Sequence, residues 1–198
     1  LPSLDEQIGI VEFLSLLDDK IELNNRLNLT LEKFAIAFFK HWFIDFEFPD
    51  GADKPYSSSG GRMVDSEIGQ IPLGWVVKNI GELIKFSIGG DWGNDEYSDL
   101  SSQKVRIIRG TDFGKIRSGN FTDLPLRFIK MTNYNNKTIL NGDILIEISG
   151  GTKDQPTGRT LQLSDILIKA FDNPPIAASF CRLMRPVDIE HSYFLRAF

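Results

Sequence analysis

The chain has 198 residues, of which 41% are hydrophobic and 25% charged, and its formal net charge at pH 7 is -5. This size allows one ordinary hydrophobic core with room for an appendage, and the presence of 1 cysteine excludes an internal disulfide. The sequence has no apolar run long enough for a membrane span and no secretory signal, so we predict a cytoplasmic protein without membrane contact. The start without methionine indicates a fragment.

Charge is distributed unevenly along the chain. Residues 1–65 carry 6 Lys and Arg against 12 Asp and Glu, whereas residues 66–198 carry 16 against 15. Within residues 104–159, basic residues outnumber acidic ones by 10 to 5. Because binding to phosphate needs local positive charge, this segment is predicted to form a phosphate-facing surface despite the negative total.

The N-terminal part is predicted to be one long helix. Ser3 and Glu6 match a capping box that would begin the helix, and the apolar pattern continues to about Phe43. Along it, selected positions alternate at spacings of three and four, which is the pattern of a coiled-coil seam. Two of these positions are asparagines, which would weaken the seam but fix its register and partner. The predicted seam and partner interface consists of Leu14, Leu17, Ile21, Asn24, Asn28, Leu31, Ala35, Phe38 and Trp42.

Other settings for this helix stay open at the level of sequence. An amphipathic helix could instead lie along its own domain, although a helix of roughly 60 Å would overshoot a small domain. Its last turns, "FAIAFFKHWFIDFEF", are apolar almost all round, so another helix or a partner protein is expected to cover them. Residues 50–65 are rich in Gly, Ser, Pro and Asp, and they are predicted to form a flexible linker.

After this linker the pattern changes to short strands bounded by Gly, Pro, Asn or Asp. The predicted strands are "GWVVKNI", "KVRIIRG", "LPLRFIK", "GDILIEIS" and "PIAASFCRLMRP", with a short helical turn at "IGELI" and a final helix from Asp188. The alternation in "GDILIEIS" predicts a half-buried strand that leads into the loop "SGGTKDQPTGR". The predicted fold class is α+β: a long coiled-coil helix over residues 1–49, the linker over 50–65, and a mixed, mainly antiparallel β-rich domain over 66–198.

No motif in the sequence predicts catalysis. The loop "SGGTKDQPTGR" is not a phosphate-binding P-loop, because 6 residues separate Gly151 from Gly158 and Arg159 takes the place of the lysine. The segment "SIGGDWGND" lacks the glycine spacing of a dinucleotide site. One cysteine and 2 histidines are too few for a zinc cluster, and Cys181 lies in an apolar run where it is expected to pack. We therefore predict a non-catalytic chain without a metal or cofactor of its own.

Two long segments resemble a known family. The segment "LPSLDEQIGIVEFLSLLDDKIELNNRLNLTLEKFAIAFFKHWFIDF" resembles the spacer helix of type I restriction-modification specificity subunits, which show Pro-x-Leu-x-Glu-Gln and Leu-Asp-x-x-Ile. The segment "DSEIGQIPLGWVVKNIGELIKF" resembles the opening of their target recognition domains, and "GGDWGND", "VRIIRGTDF" and "GDILIEISGGTKDQPTGR" are similar to segments of one branch of these domains. The matching positions are Pro2, Leu4, Glu6, Gln7, Leu17, Asp18, Ile21, Gly69, Ile71, Pro72, Gly74, Trp75 and Gly81.

The resemblance implies a function and a set of partners. Such a subunit reads one half of a bipartite site in double-stranded DNA and docks the methyltransferase subunits and, through them, the restriction subunit. S-adenosylmethionine, ATP and Mg are then expected on the partner subunits. Members of the family carry two recognition domains and two such helices, whereas this chain has one of each. A second recognition half, or a homodimer formed through the helix, is therefore expected to complete the site.

The resemblance and the charge pattern together predict which residues contact DNA. Arg and Lys suit guanine, Gln155 suits adenine, and the backbone amides of "SGGT" suit phosphate. The predicted contacts are Trp92, Asn94, Arg106, Arg109, Thr111, Lys115, Arg117, Lys130, Ser149, Thr152, Lys153, Gln155 and Arg159.

The residues themselves allow three alternatives to DNA reading by this chain and this loop. The loop around Gln155 could be only a turn, with that side chain bonded to its own backbone. A coiled-coil scaffold without DNA contact would scatter the basic residues of 104–159 over its surface. A small hydrolase or sugar-binding enzyme would need a deep polar pocket with convergent carboxylates.

Overall fold

The computed structural model describes residues 1–150 and 157–197. The chain divides into two compact units, Leu1–Val77 and Lys78–Phe198. The first unit contains α1 (Leu4–Phe39), β1 (Met63–Ser66) and β2 (Gly69–Pro72). The second contains β3 (Ile84–Gly89), β4 (Gln103–Ile108), α2 (Phe113–Arg117), β5 (Leu126–Ile129), α3 (Met131–Lys137), β6 (Ile144–Glu147), β7 (Thr160–Gln162), α4 (Asp165–Lys169), β8 (Pro175–Ala177), β9 (Cys181–Pro186) and α5 (Ile189–Ala197).

The long helix begins as the sequence predicted. The Ser3 hydroxyl accepts a hydrogen bond from the Glu6 amide at 3.4 Å, and the Glu6 carboxylate accepts one from the Ser3 amide at 2.7 Å. The chain is α-helical to Phe39 and continues as a π-helical turn over Lys40–Ile44. No residue of α1 is buried.

The predicted seam is exposed along α1 and in the π-helical turn that follows it. Leu17 and Leu31 keep 49% and 54% of their surface, and Phe38 and Trp42 keep 39% and 37%. Fully burying a leucine side chain is worth about 1.5–3 kcal/mol. A partner that covered this face would therefore gain several times that free energy.

The chain itself covers part of the apolar surface that follows α1. The ring of Trp75 lies 5.7 Å from that of Phe43, 5.6 Å from that of Phe46 and 5.2 Å from that of Phe48. Phe48 also stacks on Tyr56 at 4.7 Å. The sequence predicts that another helix or a partner protein covers these aromatic residues. In the structure, Trp75 and Tyr56, which follow the helix in the chain, contact them.

Residues 50–65, predicted as a flexible linker, form hydrogen-bonded turns and the start of a strand. The Asp50 carboxylate accepts hydrogen bonds from the amides of Ala52 at 2.8 Å and Lys54 at 3.0 Å, and β1 pairs antiparallel with β2. Side chains such as Asp50 favour turns because they bond to nearby backbone, and the same composition is typical of linkers. The two compact units meet after Val77.

Among the described residues, the second unit contains two sheets. The four-stranded sheet has the order β3-β9-β6-β7 and is antiparallel throughout, and the three-stranded sheet has the order β5-β4-β8, in which β4 and β8 are parallel. The predicted α+β class with a mixed, mainly antiparallel sheet is therefore confirmed. Aliphatic side chains from both sheets form one core that includes Val105, Ile107, Leu145, Leu161, Ile176 and Leu183.

Two of the predicted strands differ from the structure. The segment "GWVVKNI" forms no strand, because Gly74 has a positive φ of 91° and Trp75 packs on the aromatic cluster. The run "PIAASFCRLMRP" forms two strands, β8 and β9, because the chain turns at Ser179 and Phe180. The final helix begins as expected, and the Asp188 carboxylate accepts a hydrogen bond from the His191 amide at 2.9 Å.

The single cysteine lies in the core, as its apolar surroundings predicted. Cys181 is 0% exposed, and burial, together with the nearby Glu147 carboxylate, raises the pKa of its thiol to about 11. A thiol in this state behaves as a small apolar side chain.

Candidate nucleic-acid interface

Four strand ends meet at one side of the second unit. The Ala178 amide donates to the Ile108 carbonyl at 2.9 Å, the Ile148 amide to the Phe180 carbonyl at 2.9 Å, and the Gly90 amide to the Cys181 carbonyl at 3.0 Å. These hydrogen bonds join the end of β4 and the segments that follow β3 and β6 to the turn between β8 and β9 and to the first residue of β9. We call residues 90–92, 109–111, 148–149 and 178–180 the strand-end surface.

Arg109, a predicted DNA contact, is paired with a buried carboxylate. Its Nε donates to Asp112 Oδ2 at 2.8 Å and its Nη2 to Asp112 Oδ1 at 2.8 Å, and Asp112 is 2% exposed. The bond to Asp112 raises the pKa of the Arg109 guanidinium above its ordinary value. A third bond, from Nη2 to the Asp123 carbonyl at 3.2 Å, holds the connection that precedes β5.

Arg159 closes the base of the loop between β6 and β7. Its Nε and Nη2 each donate to the carboxylate of Glu147 at 2.9 Å, and Glu147 is 4% exposed. The backbones also pair, since the Glu147 amide donates to the Arg159 carbonyl at 2.9 Å and the Gly158 amide to the Glu147 carbonyl at 2.9 Å. A Cβ at Gly110 would lie 2.1 Å from Glu147 Oε1, so the buried carboxylate requires glycine there.

Arg106 is held on its own domain in the same way. Its Nε and Nη2 donate to the Asp172 carboxylate at 2.8 and 2.6 Å, and its Nη1 donates to the Leu124 carbonyl at 2.7 Å. Hydrogen bonding to Arg106 holds the pKa of Asp172 far below its usual range. Charge-assisted bidentate pairs of this kind are the strongest hydrogen-bonded contacts that arginine makes in proteins.

These pairs revise the expectation drawn from counting charges. Arg106, Arg109 and Arg159 each bind a carboxylate of their own domain, and Arg117 donates to the Thr160 carbonyl at 2.6 Å. Part of the positive charge that the sequence assigned to DNA is therefore paired within the domain. That these four residues also touch DNA stays a prediction.

Other predicted contacts are exposed side chains. Thr111 and Ser149 lie on the strand-end surface, and Lys115 lies on α2. Lys130 follows β5, whose Ile129 pairs with Gln103 at the start of β4, so it lies at the opposite end of β4 from Arg109. In residues 1–150 and 157–197, neither Lys115 nor Lys130 forms an ion pair through its ammonium group.

Trp92 and Asn94 belong to a loop packed on β5. The Arg127 guanidinium lies 5.1 Å from the centre of the Trp92 ring and pairs with Asp95. Asn94 donates from Nδ2 to the Ser101 hydroxyl at 3.0 Å and exchanges backbone hydrogen bonds with Phe128. The Arg127 guanidinium is thereby held against the exposed Trp92 ring in a fixed orientation. Its contact with Trp92 joins distant parts of the sequence, so no local pattern could have indicated it.

Three predicted contacts, Thr152, Lys153 and Gln155, lie outside the described residues. Their roles stay predictions, as does the alternative that their loop is only a turn.

Two cavities lined by described residues do not match a hydrolase site. One cavity of about 320 Å³ has Asp172 as its single carboxylate, and that group is paired with Arg106. Another of about 190 Å³ contains Asp143, which is paired with Arg185 at 2.8 Å, and Asp188, which contacts His191. Neither cavity presents the convergent, unpaired carboxylates that glycoside hydrolysis requires.

In the part of the chain that the structure describes, no group of three His, Cys, Asp or Glu side chains is placed to hold a metal ion. No helix among those residues has the length and apolar character needed to cross a membrane.

The chain was compared with known proteins. No protein-family model matches it. Over 143 residues it is 35% identical to the type I restriction enzyme MjaIX specificity subunit of Methanocaldococcus jannaschii, a match covering 70% of this chain and 31% of that protein. Over 68 residues it is 41% identical to the type I restriction enzyme HindI specificity subunit of Haemophilus influenzae, a match covering 34% of this chain and 15% of that protein.

A solved structure is also similar. It was described as the structural basis of complex assembly and conformational transition of the type I R-M system, and it matches with a TM-score of 0.39 and 20% identity over 100% of this chain and 41% of that chain. At this TM-score the likeness adds nothing to the fold described above. The matches span about a third or less of the length of the curated relatives. On its sequence, the chain belongs to the family of type I restriction enzyme specificity subunits.

Proposed function

We propose that this chain is a DNA-recognition component that reads one half of a bipartite site and docks methyltransferase subunits and, through them, a restriction subunit. The observation that carries the proposal is the 35% identity over 143 residues to a specificity subunit. The division into a unit with a long exposed helix and a β-rich unit supports it, because assembly and DNA reading then fall to separate parts of the chain.

The first unit suits protein partners better than DNA. Residues 1–65 carry 12 acidic against 6 basic residues, so a phosphate backbone would repel them. The exposed seam of α1 gives a second helix an apolar face to pack on, and Asn24 and Asn28 would fix the register of the pair. The partner is a second recognition half or a second copy of this chain, joined by the methyltransferase subunits.

The second unit suits double-stranded DNA. Exposed lysines such as Lys115 would contact phosphates and set the position of the domain, whereas side chains on the strand-end surface would reach base edges. The buried ion pairs of Arg109 and Arg159 keep the backbone of that surface in one conformation, which lowers the entropy lost on binding.

The chain contributes recognition rather than a chemical step in this proposal. An adenine amine cannot be methylated inside the duplex, so the partner methyltransferase, with S-adenosylmethionine bound, would extract the base while this chain holds the flanking sequence. ATP and Mg would serve the restriction subunit.

Mapping of methylated adenines tests the proposal. The full chain is expressed with its methyltransferase subunits in cells that lack other adenine methylation, and the modified adenines are located across the genome. We expect methylation at one bipartite sequence, which also gives the half-site and the spacer length. Methylation without a sequence rule, or failure of the chain to bind the methyltransferase, would contradict the proposal and favour a scaffold without DNA contact.

A further inference from the structure

Two large apolar side chains are exposed to solvent where the turn between β8 and β9 meets the segment that follows β6. Phe180 is 65% exposed and Ile148 is 51% exposed. Phe180 lies in the turn and Ile148 follows β6, and their backbones adjoin because the Ile148 amide donates to the Phe180 carbonyl at 2.9 Å. Neither side chain belongs to the core, so the fold does not account for two large apolar groups at this place.

The backbone under this pair is held from several sides. The Cys181 amide donates to the Ala178 carbonyl at 2.8 Å and closes a tight turn around Phe180. A Cβ at Gly90 would lie 2.0 Å from the Ala178 carbonyl oxygen, so the preceding loop packs directly on the turn. Beneath it lie the buried Cys181 and Glu147. The two side chains are therefore presented by a fixed backbone rather than by a flexible loop.

The groups around the pair are polar or cationic. Arg182 is exposed and donates from Nε to the Ser87 hydroxyl at 2.7 Å. Ser149 and Ser179 are exposed beside Ile148 and Phe180. The nearby carboxylate of Glu147 is paired with Arg159 and is 4% exposed, so it presents little negative charge at this surface.

An apolar contact flanked by hydroxyls and a cation matches the major groove of DNA at a thymine. There the 5-methyl group of the base is the apolar feature, and it lies between phosphates that bind cations and hydroxyls. We propose that Phe180 and Ile148 contact the 5-methyl group of a thymine and make this turn a specificity-determining element. The inference rests on the proposed function, since it requires that the chain reads DNA.

Removing one methyl group from the DNA tests this contact. Duplexes carry the half-site found by methylation mapping, and each thymine in turn is replaced by deoxyuridine, which lacks only the 5-methyl group. Binding to the full chain with its methyltransferase subunits is measured by fluorescence anisotropy. We expect one substitution to weaken binding about fourfold, because burying one carbon group is worth about that factor. The Phe180→Ala complex should bind weakly to both duplexes and no longer distinguish them.

Matched variants separate this contact from other causes. Ile166 is 83% exposed on α4, so Ile166→Ala removes a comparable apolar side chain and should leave the thymine discrimination intact. Ile148→Ala should also reduce the discrimination between thymine and deoxyuridine. This second variant tests the contact if Phe180→Ala lowers the melting temperature of the protein.

Several outcomes would overturn the inference. If no deoxyuridine substitution weakens the wild-type complex, or if Phe180→Ala keeps the full discrimination, the turn does not read thymine. Loss of methyltransferase binding in Phe180→Ala would show that the turn is a protein interface. A complex that methylates without any sequence rule would instead contradict the proposed function itself, and the inference would fall with it.

Discussion

Gly89 and Gly90, at the end of β3, differ in how closely other atoms surround them. Replacing each by alanine tests how closely the segment after β3 packs on the turn between β8 and β9. A Cβ at Gly90 would lie 2.0 Å from the Ala178 carbonyl oxygen and 2.3 Å from that of Ala177. A Cβ at Gly89 would meet nothing within 4 Å. The pair therefore offers the same chemical change at neighbouring positions with opposite steric consequences.

The cost of Gly90→Ala follows from these distances. Ordinary contact begins at 3.4 Å, so the loop and the turn must separate by about 1.4 Å at Ala178. Overpacking of this kind costs about 1–3 kcal/mol. The shift also disturbs the hydrogen bond from the Asp91 amide to the Ala177 carbonyl, now 2.8 Å, which is worth about 1 kcal/mol. The entropic gain of replacing glycine by alanine is common to both variants and cancels, so Gly90→Ala should be about 2–4 kcal/mol less stable than Gly89→Ala.

Urea unfolding of the two variants measures this difference. Trp92 reports on the second unit when Trp42 and Trp75 are replaced by phenylalanine in every protein compared. The slope of unfolding free energy against urea should stay constant, so the midpoints give the difference directly. Equal midpoints for Gly89→Ala and Gly90→Ala would refute the close packing of the loop on the turn.

Three further changes test the ion pairs, the acid response and the helix. Arg159→Met leaves the buried Glu147 carboxylate without its cation and should lower the unfolding free energy by about 3 kcal/mol in urea, near the lower limit for a broken buried pair. In Asp91, burial raises the pKa, but hydrogen bonds from Gly93, Asn133 and Lys137 outweigh it, so the folded-state pKa is lowered. This carboxylate stabilises the fold above about pH 4 and loses that effect as pH falls through its folded pKa, so Asp91→Asn should flatten the acid side of a melting-temperature profile. The double change Leu17→Asp and Leu31→Asp places two charges in an apolar interface, which should weaken its binding free energy by several kcal/mol. Helix pairing or methyltransferase binding should then be lost in sedimentation, while the second unit keeps its melting temperature.

Each of these has a control. Arg196 is exposed and contacts Gln162 at 3.4 Å, so Arg196→Met should change the unfolding free energy by less than about 0.5 kcal/mol. If Arg159→Met lowered the unfolding free energy by no more than Arg196→Met does, the pair of Arg159 with a buried carboxylate would be contradicted. An acid profile unaltered by Asp91→Asn would rule out its lowered pKa. Unchanged assembly of the double aspartate variant would show that the seam is assigned to the wrong face of α1.

The parts of the fold that depend on neighbouring residues could be predicted from sequence. The capping box at Ser3 and Glu6 and the alternation that gives β6 are local signals, and the structure has both. The turn that splits β8 from β9 left no such signal, because Ser179 and Phe180 carry no glycine or proline and lie within an apolar run.

The candidate site was less predictable, because its electrostatics depend on partners distant in sequence. Arg106 meets Asp172 across a separation of 66 residues, and no spacing rule links the two. Arg109 and Asp112 are three residues apart, yet their pair depends on the turn conformation between β4 and α2. A count of charges therefore measures the cations in a segment but not how many of them reach solvent.

The burial of Cys181 makes the chain a convenient subject for kinetic work on folding. With its thiol 0% exposed and its pKa raised to about 11, the native second unit should resist alkylation, and the reagent gains access when that unit opens. No other thiol competes, because the sequence has 1 cysteine. The rate of labelling then reports the opening of this unit alone, so mass spectrometry could follow how binding of DNA or of a helix partner slows its fluctuations.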